Sequence, residues 1–229
     1  MASCDRVRTL LKKGITMRKL GFGLVCAAIS QIGCVLNQEP AITRVPTPAT
    51  ASECEIRRDM RDLWVDHVAW TRFYLISTAA DLPDKEEAGR RLLQNQADIG
   101  NAMKPYYGKA SGEQLTALLK EHILIAGEVI DATKAGETEK KSDAAKRWHS
   151  NADDIATFLS GANPKSWPLA DMRTEMHLHL DLATAEFETH MRCDWSGSVA
   201  AYDRLHLQIL NMADMLSMGI VSQFPGKFY

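Results

Sequence analysis

Four histidines stand where a helix would bury apolar side chains. His67, His122, His179 and His206 each fall on the inward seam of a helical pattern, near the middle of its helix. One seam reads Ile56, Met60, Leu63, His67, Trp70, Tyr74; another reads Leu115, Leu118, His122, Ile125, Val129. The other two read Met172, Met176, His179, Ala183, Glu186 and Val199, Tyr202, His206, Ile209, Ala213. A buried ionisable ring is costly unless it is hydrogen-bonded or bound to a metal. Neutral imidazole is a good ligand for zinc, iron or copper. Histidines at mid-height would meet whichever way their helices point. The pattern therefore predicts a buried centre holding a transition metal, or haem, through His67, His122, His179 and His206. Asp98, Glu186 and Asp203 would be further ligands, or acceptors that fix the imidazole tautomers. Trp70, Tyr74 and Tyr202 would line the cofactor and keep water out.

Two other readings compete. In one, each histidine is a core residue hydrogen-bonded to a tyrosine, asparagine or carboxylate. The chain is then a binding or interaction protein, its histidines structural or a pH-sensitive core. In the other, the polar centre recognises the head group of a small apolar ligand, and the protein is a carrier. A di-iron pattern is not met: Asp203 and His206 give one D-x-x-H, and there is no E-x-x-H. His149 and His177 fall off the seams, and His190 lies near a helix end. Met212, Met215 and Met218 suit apolar filling better than copper.

These residues need long helices to carry them. From Glu53 onward apolar residues recur at three and four, with no alternating strand pattern. Helices are expected over about 54–80, from an N-cap at Asp81 or Asp84 to about 104, then over about 112–134, 142–160, 168–192 and 196–222, punctuated by Pro83, Pro105, Gly108, Gly136, Pro164 and Pro225. Short connections favour antiparallel neighbours. The expected fold is an all-α, up-and-down bundle of about six helices, four of them long, over residues 53–229.

The start of the chain differs. Arg18 and Lys19 precede an uncharged stretch from Leu20 to Leu36, the form of a secretory signal. Gly33-Cys34 resembles a lipoprotein processing site, although Gln31 fits it poorly. Residues 1–36 thus read as a signal-like or lipid-anchoring segment, and residues 37–52 as a Pro/Thr/Ala linker. The expected location is exported, periplasmic or extracytoplasmic, with or without a lipid anchor and with any membrane contact through this segment alone; the alternative is a cytoplasmic protein with a misassigned start. In an oxidising compartment Cys54 and Cys193 could pair.

Several classes are excluded. The net charge of -2 over 229 residues gives no basic field for nucleic acid. No phosphate-cradling glycine loop, CxxC pair or G-x-S-x-G elbow is present.

The body resembles a family of uncharacterised bacterial helical proteins. The resemblance rests on "LWVDHVAWTR", "RLLQNQADIGNAMKPYYG", "LTALLKEHILIAGEVIDA", "NADDIATFLSGANP", "YDRLHLQILNMADMLS" and "QFPGKF", and covers nearly all of Leu63 to Phe228. It implies an all-helical bundle and no established activity. Its motifs include His67, His122, His179, Asp203 and His206. Some relatives carry a glycosyltransferase label, but the usual sugar-nucleotide enzymes need an α/β sheet with a nucleotide crevice, and from Glu53 onward no strand pattern supports one.

Overall fold

The computed structural model describes residues 49–229. The signal-like segment and most of the expected linker lie outside the described residues. Five α-helices follow one another: α1 (Ala51–Ala79), α2 (Lys85–Ala135), α3 (Thr138–Ala162), α4 (Leu169–Met191) and α5 (Trp195–Gln223). A 3₁₀ turn, Pro225–Lys227, closes the chain. Among the described residues there is no strand, and no helix is long and apolar enough to cross a membrane.

Helix α1 starts inside the expected linker, because Thr50 and Glu53 form a capping box. The Thr50 hydroxyl accepts from the Glu53 amide at 3.2 Å, and the Glu53 carboxylate accepts from the Thr50 amide at 2.6 Å. The expected helices at 85–104 and 112–134 run together as α2. Its one non-helical residue is Gly108, at φ 83° and ψ 168°. A straight helix would hold residues 100 and 112 about 18 Å apart. Here a Cβ on either Gly100 or Gly112 would stand 2.5 Å from the other's carbonyl oxygen. The chain therefore folds back at Gly108, and the two halves cross backbone to backbone.

Polar pairs set the register between helices. Arg57 and Arg61 grip Asp214 near the end of α5, while Arg72 meets Ser198 near its start. Along α2 and α3, Glu128 pairs with Arg147 and His122 with Asn151. Along α3 and α4, Lys141 pairs with Glu188 and Asp153 with His177. Along α4 and α5, His179 meets Gln208 and His190 meets Ser198. Between them lies one core, with Met60, Trp64, Leu75, Ile99, Leu119, Trp148, Ile155, Trp167, Leu180, Phe187, Leu205 and Ile209 all buried. Cys54 is an exposed free thiol, so the Cys54–Cys193 pair is not formed.

Candidate functional site

Three of the four expected histidines come together. His67 on α1, His122 on α2 and His179 on α4 are all buried. The His67 and His179 ring centroids are 5.5 Å apart, and those of His122 and His179 are 6.1 Å apart. His179 is thus the middle ring of a row.

Each ring is wired differently. The Asn151 amide group donates to the Leu118 carbonyl at 3.1 Å, which turns its oxygen toward His122. His122 Nδ1 donates to that oxygen at 2.8 Å. The Trp148 indole N–H donates to His122 Nε2 at 3.1 Å. Both ring nitrogens are therefore engaged, and both partners demand the same neutral tautomer. A second proton on Nε2 would face the indole proton. Burial, with His179 adding to it, pushes the His122 pKa down to about 3, against the pull of Asn151. His179 Nδ1 donates to the Gln208 oxygen at 3.2 Å, and the Gln208 amide donates to Glu175. Burial lowers the His179 pKa to about 4. His67 sits edge-on to Trp64 at 5.7 Å. Its Nδ1 makes no hydrogen bond of good geometry, and neither does the Trp64 indole N–H nor the Gln96 side-chain oxygen, although Gln96 lies close enough to His67 to pull its pKa upward. Burial above all, then His179 and His122, holds the His67 ring well below the ordinary histidine range. All three rings are neutral at pH 7.

The other expected site residues lie elsewhere. His206 is only half-buried, beside the Tyr202 ring at 6.1 Å, and does not join the row. Asp203 is exposed. Asp98 faces Gln94 and Arg91 rather than the imidazoles. Trp70 packs on Phe73 and under the Arg91 guanidinium. Tyr74 stands between Gly89 and Gly127. The ring that shields His67 is Trp64 instead.

Glu186 is buried in a second polar group, with Tyr202 on its rim. Arg72 Nη1 donates to Glu186 Oε1, and the other carboxylate oxygen has no partner. Burial pushes the Glu186 pKa up to about 7, although the Arg72 hydrogen bond and charge pull it down. Arg72, Ser198 and Gln208 are the residues that the seams alone do not reveal. Arg72 follows its histidine by five residues and lies off the expected seam. Gln208 is visible only if the α5 seam is read as Ala201, Leu205, Gln208, Met212.

Among the described residues no three His, Cys, Asp or Glu side chains are arranged to hold a metal ion. The wiring of the row gives a reason: His122 has no free lone pair, so within the row His67 and His179 alone keep a ring nitrogen without a protein partner, and the unpartnered His206 Nδ1 lies outside the row. Comparison with family models, curated proteins and solved structures found no match.

Proposed function

We propose that the chain is a helical binding or interaction protein whose core imidazoles are structural, neutral and acid-sensitive. The observation that carries this reading is His122. Both its nitrogens are hydrogen-bonded within the fold, to Asn151 and Trp148, which suits a core residue and not a metal ligand. The reverse-order pairing of residues between consecutive helices supports an antiparallel, up-and-down bundle around it. Support for export rests on residues 17–36 alone.

One observation favours a second reading. His67 Nδ1 is buried without a partner, next to a His179 ring with one free nitrogen. A metal ion held by these two rings, with ligands from outside the fold, is the reduced form of the metal reading.

The test is nitrogen-15 spectroscopy of the imidazoles in the full-length protein. The structural reading expects His122 in the Nδ1–H tautomer at pH 7, unmoved by equimolar zinc or copper. Stoichiometric metal on the purified protein, or a metal-induced shift of His122, would sink it. Shifts confined to His67 and His179 would establish the two-ring reading.

A further inference from the structure

A second polar group sits apart from the imidazole row, where α4 meets the start of α5. Glu186 is fully buried, and only one of its oxygens is engaged, by Arg72 Nη1. The same Nη1 reaches the Ser198 hydroxyl at 3.4 Å. Arg72 Nε and Nη2 have no hydrogen-bond partner among the described residues, and the side chain is 20% exposed. The guanidinium carbon lies 4.8 Å from the centre of the Tyr202 ring. His190 Nδ1 faces the Ser198 oxygen at 3.4 Å, and its ring meets Trp195 edge-on at 5.2 Å.

The donors line up. Ser198 Oγ accepts from Arg72, so its own proton points to His190 Nδ1. His190 Nε2 then carries the ring proton as a donor, and it has no partner among the described residues. The Tyr202 hydroxyl has no partner among the described residues. From these contacts we infer that Arg72 anchors a small oxyanion here, its free guanidinium edge forming the fork, with His190 Nε2 and the Tyr202 hydroxyl beside it. A carboxylate and a phosphate-like group both match a guanidinium fork.

The buried carboxylate regulates the anchor. Ionised Glu186 neutralises Arg72; protonated Glu186 leaves the guanidinium charge to the ligand. The groups facing this pair are Arg72 from α1, His190 from α4, and Tyr202 with Asp203 from α5. Burial sets Glu186 to titrate near neutrality, at about 7. His190 is pushed below its ordinary range by burial and by Arg72. Anion binding and proton uptake by Glu186 are thus linked. This site is independent of the imidazole row and of the reading proposed for it.

The test is titration of the full-length protein with acetate and, separately, with sulfate, both of fixed charge from pH 6 to 8. The Arg72 side-chain nitrogen signal is followed, with circular dichroism confirming the fold. Saturable binding roughly ten-fold tighter at pH 6 than at pH 8 is expected, from the change in the ionised fraction of Glu186. Binding by acetate alone assigns a carboxylate ligand, and binding by sulfate alone a phosphate-like one. Glu186→Gln should bind equally at both pH values, and Arg72→Gln should not bind. Should Arg72→Gln fail to fold, His190→Gln and Tyr202→Phe must each weaken binding several-fold. No saturable shift with either anion, or a Glu186→Gln variant with the pH dependence intact, overturns the inference.

Discussion

The neutral state of His122 follows from two neighbours that agree. Asn151 is turned by its own bond to Leu118, and Trp148 has only a proton to offer. Losing either strands one buried ring nitrogen. Asn151→Ala leaves the His122 Nδ1–H buried and unmatched, a loss of about 1–3 kcal/mol. Trp148→Phe keeps an aromatic ring but leaves the buried Nε2 lone pair unmatched, a loss in the same range of about 1–3 kcal/mol, plus any repacking. Urea midpoints at pH 7.5 measure both. If Asn151→Ala matches the native protein, water or another tautomer replaces Asn151, and the lock on the ring does not exist. At this scale the sequence was legible in part. The seam showed that His67, His122 and His179 would be buried. Asn151 falls on the inward seam of its own helix, with Ala144, Trp148 and Ile155, but the seams could not show that it meets His122 or that Gln208 meets His179, because hydrogen-bond partners come from facing helices whose rotation is fixed only by packing.

Helix rotation explains most of the remaining differences. On α1 both Leu63 and Trp64 can continue the seam from Met60. Packing buries Trp64, Thr71 and Leu75 and leaves Trp70 and Tyr74 at its edge. On α5 the first half buries Ser198, Ala201, Leu205 and Gln208, one step round from Val199, Tyr202 and His206. That step takes His206 out of the row and brings Gln208 to His179. Apolar residues on both candidate seams left the periodicity without a preference. The turn at Gly108 was legible, but the crossing of Gly100 and Gly112 was not, since a glycine within a helical pattern signals only weakened propensity. Two substitutions separate these roles. Gly108→Ala places a side chain at φ 83° with nothing within 4 Å of its Cβ, so its effect is backbone strain of about 1–3 kcal/mol. Gly112→Ala meets the Gly100 backbone and must part the two halves of α2, an overpacking loss of about 1–3 kcal/mol or more. Thermal melts should show both losses. Only Gly112→Ala should also alter amide exchange in both halves of α2; exchange that changes only around residue 112 would contradict the crossing.

For the molecule as a whole, the imidazole row sets how the bundle meets acid. His67, His122 and His179 have folded pKa values depressed far below the ordinary 6.5. Each is neutral in the fold but gains a proton in the unfolded chain as pH falls through 6.5, so unfolding is favoured by acid. Glu186 acts in the opposite sense. Its folded pKa of about 7 exceeds the unfolded value, so near pH 5.5 the fold holds a proton that the unfolded chain lacks. The three fully buried histidines against one carboxyl leave a net uptake of at least about two protons on unfolding near pH 5.5, and the half-buried His190, lowered as well, adds in the same direction. That corresponds to a stability loss of about 2.7 kcal/mol per pH unit. Carboxylates held low by cationic partners, such as Asp214 between Arg57 and Arg61, act only at more acid pH and do not blur this window. Urea unfolding at half-unit steps from pH 7.5 to 5 gives the slope directly. His67→Phe should lower it by about one proton, and Glu186→Gln should raise it by about one. A flat profile above pH 5 would mean that the three rings are hydrated or already charged in the fold, and the neutral row would have to be abandoned.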